Sequence, residues 1–222
     1  MAPDLAARWT TWLDLVEGEG FAVRAILHPP ATNAALDILE TVTGQRLTDE
    51  IRAFYRLNNG QRGRPSLGRV RDGLEEAWPP HAAPVFGFYE FLSTDEAAHA
   101  WSLWQSVADD QGPDGMADMA EPVTVDEPDK VKREYWIPGW LPFAKDGGGN
   151  AFAFDLAPEP GGTVGQIIII GSDEDHRRVF APSISDFLAQ MAAAWTAGRY
   201  EIETEDDETR YYDLPFLRGV SV

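Results

Sequence analysis

The residues with the most chemical potential fall into three short groups. Asp173-Glu174-Asp175-His176 offers carboxylates and an imidazole, both suitable ligands for a divalent cation. Neighbours on an extended chain point to alternating faces, so the four cannot converge on one ion, and a solvated turn is expected. Asp146-Gly147-Gly148-Gly149-Asn150 has the glycine content of a phosphate-cradling loop. It lacks both the dinucleotide fingerprint and the following Lys-Ser/Thr. It reads as a tight turn between strands, with glycines at positive φ and Asp146 or Asn150 bonding the backbone. Arg62, Arg64, Arg69 and Arg71 make a basic island in an acidic chain. They could hold a phosphate or a partner's acidic segment, but pairing with the chain's own carboxylates is favoured.

Catalytic patterns are sparse. With no cysteine, thiol nucleophiles, thiolate metal sites and disulfides are ruled out. There is no GxSxG elbow, and His28, His81 and His99 are scattered without metal-ligand spacing. Glu90, Asp95 and Glu96 gather near a strand-to-helix junction without defining an acid–base pair. No metal, no cofactor and no enzymatic activity are expected.

The elements that would position these groups are legible in the hydrophobic spacing. Leu5, Trp9, Trp12, Leu13 and Val16 share one helical face, closed by Gly18 and Gly20. Phe21, Val23, Ala25 and Leu27 alternate as a short strand would. Thr32 caps a helix carrying Leu36, Leu39 and Val42, and a third helix from Thr48 turns Ile51, Phe54 and Tyr55 inward before Asn58-Asn59-Gly60. Residues 61 to 84 read as irregular, Val85 to Leu92 as a strand, and Ser93 or Thr94 as the cap of a helix through Trp101 and Trp104. From Asp109 to Asp129 the chain holds eight carboxylates and no Lys or Arg, which predicts a polar surface loop. Strands follow at Trp136 to Ala144, Ala151 to Leu156 and Gln166 to Ile170, whose four isoleucines suit a strand buried on both faces. A closing helix, capped by Ser183, buries Ile184, Phe187, Leu188, Met191, Ala192 and Trp195. Helices followed by strands mixed with helices predict an α+β fold with a mixed, largely antiparallel sheet flanked by helices.

Composition narrows the partners. The 222 residues suit a single large domain, 44% of them hydrophobic, with 8 Trp and 11 Phe to fill a core. No run approaches the roughly 18 apolar residues of a membrane helix, and the first residues do not resemble a signal peptide, so a cytoplasmic protein is expected. The 37 acidic and 18 basic residues leave a net charge of −19. That field disfavours nucleic acid and anionic membranes and attracts cationic proteins, although solubility alone would also account for it.

Five stretches in order resemble the SMI1/KNR4 family of the SUKH superfamily. They are His28-Pro29-Pro30-Ala31-Thr32, the block from Arg46-Leu47-Thr48 to Asn58-Asn59-Gly60, Trp136-Ile137-Pro138-Gly139-Trp140-Leu141-Pro142-Phe143-Ala144 running into Asp146 to Asn150, then Asp155-Leu156 with Gly165-Gln166-Ile167, and Ala181-Pro182-Ser183 to Leu188. Thr48 stands where the family usually has proline. The resemblance runs over residues 28 to 190 and implies a SUKH-like domain, taken as residues 1–200. The Arg-rich stretch at 61 to 72 and the tail beyond Gly198 lie outside the shared pattern, and residues 201–222 read as an acidic, aromatic-containing extension packing on the domain or projecting from it. The resemblance also implies a protein-binding role. Bacterial members are largely immunity proteins that neutralise toxins, and fungal members regulate cell-wall synthesis and signalling.

On that reading the chain is first of all an immunity protein holding a cationic toxin, and alternatively a regulatory scaffold. It would be a monomer or weak homodimer. The expected contact residues are Asp109, Asp110, Asp114 and Asp118 in the polar connector, with Glu201, Glu203, Glu205, Asp206, Asp207, Glu208, Tyr211 and Tyr212 in the tail. Aromatics set inside a charged rim suit an interface, yet some must pack against the domain.

Overall fold

The computed structural model describes residues 4–65, 67–73, 76–204 and 210–218. The described residues form helices α1 (Leu5–Gly18), α2 (Asn33–Thr43), α3 (Asp49–Tyr55), α4 (Leu67–Arg71), α5 (Thr94–Ala120) and α6 (Ile184–Thr196). The strands are β1 (Glu90–Phe91), β2 (Thr124–Val125), β3 (Trp140–Lys145), β4 (Asn150–Asp155), β5 (Gln166–Gly171), β6 (His176–Arg177), β7 (Val179–Ala181), β8 (Glu201–Thr204) and β9 (Arg210–Asp213). The central sheet has the order β1-β3-β4-β5-β7 with every pair antiparallel. The parallel pairing lies apart from it, between β2 and β6. This is the α+β architecture expected from the order of the elements.

All six residues of β5 are buried, as its run of isoleucines requires. One face of the sheet carries an aromatic layer. Phe143 and Phe154 stack at 4.4 Å, and Phe187 from α6 meets Phe152 at 5.3 Å and Phe143 at 6.3 Å. Phe54 from α3 and Trp9 from α1 extend the layer, their rings 5.4 Å apart and edge-on. The pairing slips between Pro142 and Ala144, a bulge that leaves Phe143 on the aromatic side. Pro142, Lys145 and Ala151 therefore share the opposite face, where α5 packs.

The caps follow the sequence closely. Thr32 and Thr48 accept from the amides of Ala35 and Ile51, and Ser183 accepts from Asp186. Ser93 and Glu96 form a complete capping box at the start of α5. The Asn58-Asn59-Gly60 block ties four segments together. Asn58 accepts from the Trp9 indole at 2.9 Å and donates to the His28 carbonyl at 2.8 Å, while Asn59 accepts from the Thr94 amide at 2.9 Å. Gly60 has φ +80°, and a Cβ there would lie 2.2 Å from the Ser93 nitrogen, so only glycine fits.

Three expectations are corrected. Phe21 to Leu27 is not a strand but a turn of 3-10 helix at Arg24–Ile26, which buries Phe21, Val23 and Ile26 and exposes Ala25. Arg24 clasps Asp14 and Glu17 of α1, which tightens the backbone where alternation predicted extension. Val85 to Leu92 is a strand only at its end. Phe86 and Tyr89 face each other across a tight turn at Gly87, φ +72°. The supposed connector from Asp109 is helical as far as Ala120. Gly112, at φ 66° and ψ 179°, and Pro113 divide α5 into two helical stretches across a kink, and Met116, Met119 and Ala120 turn inward beyond it. The helical spacing of those three was the readable signal, obscured by the surrounding carboxylates.

Candidate protein-interaction surface

Asp146 and His176, each from a group that suggested ion or phosphate chemistry, are engaged within the fold. Asp146 Oδ1 accepts from the amides of Gly148 at 2.7 Å and Asn150 at 3.0 Å, and its Oδ2 accepts from the Asn150 side chain. The carboxylate thus closes the β3–β4 turn on itself. His176 meets Asp126 across the β2–β6 pairing, Nε2 to Oδ1 at 2.7 Å. No group of three or more His, Asp or Glu among the described residues could hold a metal ion. In the basic island Arg62 pairs with Glu76 at 3.2 Å and Arg71 with Asp72 at 3.8 Å, the intramolecular outcome. The Arg64 guanidinium lies 5.3 Å from the Tyr211 ring and 5.8 Å from Trp78.

The expected contact residues divide. Asp109, Asp110, Asp114 and Asp118 are exposed on α5, Asp109 accepting from Gln105 at 2.7 Å. They are presented by a helix, not by a loop. Glu201 and Glu203 are exposed on β8, which pairs antiparallel with β9. Glu205, Asp206, Asp207 and Glu208 lie outside the described residues. Tyr211 is half-buried with its ring on Phe88. Tyr212 is a core residue, which corrects its assignment as a contact. It is 1% exposed, packs against Trp12, Phe21 and Trp195, and donates to the Pro84 carbonyl at 2.7 Å. Burial raises its pKa, and a partner cannot reach it. Leu214 and Leu217 are buried alongside.

An apolar groove of about 560 Å³ between α5 and the β3–β4 turn was not foreseen. Pro142 and Ala151 form its floor; Leu103, Trp104 and Val107 form one wall. Tyr135, Met119 and the glycines of the turn complete it. Its walls are held firmly. Trp101 donates to the Pro138 carbonyl at 2.9 Å, Trp104 meets Tyr135 edge-on at 5.7 Å, and buried Arg177 donates to the Tyr135 carbonyl at 2.8 Å. Gly147 leaves the rim open, with nothing within 4 Å of where a Cβ would stand. The Tyr135 pKa is raised, chiefly by burial; Arg177 lowers it, and Asp175 and Asp173 add to the rise. Leu103 and Val107 are 56% and 37% exposed, large apolar side chains with room for a partner. Their i, i+4 spacing, off the face of Trp101, was the signal available in the sequence.

Comparison with known proteins follows the same segments. The model of the SMI1 / KNR4 family (SUKH-1) matches residues 30–190. Over 146 residues the chain is 33% identical to the "Cell wall biosynthesis/cell cycle regulator smi1" of Schizosaccharomyces pombe, covering 64% of this chain and 29% of that protein. It is 40% identical over 91 residues to the "Glucan synthesis regulatory protein" of Neurospora crassa, covering 41% and 17%. With the "Cell wall assembly regulator SMI1" of Saccharomyces cerevisiae it shares 36% identity over 81 residues, covering 36% and 16%. The matched part is less than a third of each of these relatives. The five ordered motifs, the α+β fold they build and the match over residues 30–190 establish that this chain belongs to the SMI1/KNR4 family (SUKH-1).

Proposed function

We propose that this chain is a regulatory protein-binding module, acting in the cytoplasm by holding a protein partner and not by turning over a substrate. The observation that carries it is the family match over residues 30–190, with relatives named as regulators of cell-wall assembly and glucan synthesis. The surface fits the role: an apolar groove stands open beside exposed carboxylates on α5. No helix among the described residues is long and apolar enough to cross a membrane. A second reading, neutralisation of a cationic toxin, draws support from the net charge of −19, which would speed encounter with a basic protein.

Disrupting the gene in its own cells separates the two. The regulatory reading predicts altered wall-polymer content and altered survival under wall-degrading enzymes. The toxin reading predicts an unchanged wall and death beside toxin-producing neighbours. A disruptant unchanged in both assays overturns both.

A further inference from the structure

We infer that the groove between α5 and the β3–β4 turn binds a basic segment of a partner protein, one that inserts large apolar side chains and flanks them with lysine or arginine. The inference rests on the protein-binding reading above and adds the place and the chemistry of the contact. The apolar part is set by the lining. Leu103 and Val107, one helical turn apart, expose methyl groups over a floor of Pro142 and Ala151, and the half-buried Trp104 and buried Tyr135 supply aromatic faces. Burying those two aliphatic side chains under a partner's Leu, Met or Phe removes apolar surface that the fold leaves in water.

The basic part is set by charge. Asp110 continues the Leu103–Val107 stripe, three residues past Val107 on the same helical face. At the other end Asp173 follows Ser172 of the rim, and both Asp173 and Asp175 act on the Tyr135 hydroxyl. Lys145 is the one cation among the described lining residues, and Arg177 also acts on the Tyr135 hydroxyl. Against them stand the three carboxylates Asp110, Asp173 and Asp175 beside the lining, in a chain of net charge −19. A second copy of this chain is a poor occupant, because it would bring another −19 charges to the contact. A basic segment gains from the same field that repels a copy. Gly147 has nothing within 4 Å of where a Cβ would stand, so the segment can approach the turn closely there.

The test places a photo-crosslinking amino acid at Val107 of the full chain, in its own cells, with a second chain carrying it at Val42, exposed on α2. Sequencing the crosslinked peptides should show, at 107 and not at 42, a segment with a large apolar residue flanked by Lys or Arg. That segment, synthesised and titrated against the purified chain, should bind at least tenfold more weakly to Leu103→Ser/Val107→Ser. An Asp110→Asn/Asp173→Asn/Asp175→Asn chain should lose much of the salt dependence of association. Crosslinks at 107 to an acidic segment, or to a second copy, overturn the inference. So does an affinity that the serine pair leaves unchanged. Crosslinks to another protein at 42 alone overturn the groove and leave the protein-binding reading standing, whereas none at either position defeats both.

Discussion

The Asn58-Asn59-Gly60 block and the α5 groove lie on either side of the Ser93 cap, and their residues face in opposite senses. In the block, polar groups are satisfied internally, on the Trp9 indole, the His28 carbonyl and the Thr94 amide, and Gly60 leaves no room for a side chain. In the groove, Leu103 and Val107 are apolar and face solvent, and nothing in the fold demands their exposure. The motifs that reveal the family are therefore the joints of the scaffold. The exposed apolar side chains offered to a partner, Leu103 and Val107, come from a stretch with no motif, while the groove's floor at Pro142 and its turn at Gly147 to Asn150 belong to one. A family resemblance can in this way be secure while leaving the contact surface unassigned.

That contrast can be broken by substitution. The largest effect should come from Gly60→Ala, which drives a methyl group into the Ser93 backbone at a positive φ. We expect a loss on the order of 4 kcal/mol or more, or no soluble protein, in denaturant titration. Stability within 1 kcal/mol of the parent would remove the block from the scaffold. Tyr212→Ala should cost about 3–5 kcal/mol, the range for a large buried ring. Tyr212→Phe should cost about 1–2 kcal/mol, because the Pro84 carbonyl loses its donor. A Tyr212→Ala chain as stable as its parent would restore Tyr212 to the surface.

A smaller effect tests a buried carboxylate in the scaffold. Burial raises the pKa of Asp155, although hydrogen bonds from Gln166 and the Ala157 amide lower it. A raised folded-state pKa means that the folded chain binds this proton more tightly than the unfolded chain. The resulting stability is complete below the unfolded value, about pH 4, and is lost as pH rises through the raised value. Asp155→Asn should remove that slope from stability measured across pH 4 to 7, whatever its constant cost. Identical slopes would mean that Asp155 is not the group responsible. The smallest effect belongs to the groove itself. Leu103→Ser/Val107→Ser should change stability by no more than about 0.5 kcal/mol per site, since both side chains already face water.

Much of the fold is legible in the sequence alone. The cap at Thr32, the buried isoleucines of β5 and the closing of the Asp146 turn follow from local rules that long-range contacts do not overrule. Misreadings came where tertiary contacts decided the outcome. Alternation at Phe21 to Leu27 implied extension, but Arg24 is pulled back onto α1 by Asp14 and Glu17. The carboxylates after Asp109 suggested a loop, but an exposed helix tolerates them, and Met116, Met119 and Ala120 give it an inner face. The candidate site was the least legible part. Its four residues on α5, Asp109, Asp110, Asp114 and Asp118, were placed by charge alone. Tyr212 was misplaced because an aromatic beside a charge run looks the same in sequence whether it anchors a partner or a core. The groove needs β3, β4, α5 and Tyr135 together, and no single stretch announces it.

The most direct measurement compares partner affinity with stability in the same molecules. The partner segment recovered by crosslinking is titrated against the parent, the Leu103→Ser/Val107→Ser chain and the Tyr212→Phe chain, each with its unfolding curve. The account predicts at least a tenfold loss of affinity at unchanged stability for the serine pair, and lowered stability at unchanged affinity for Tyr212→Phe. Equal affinity for the serine pair and the parent would contradict it.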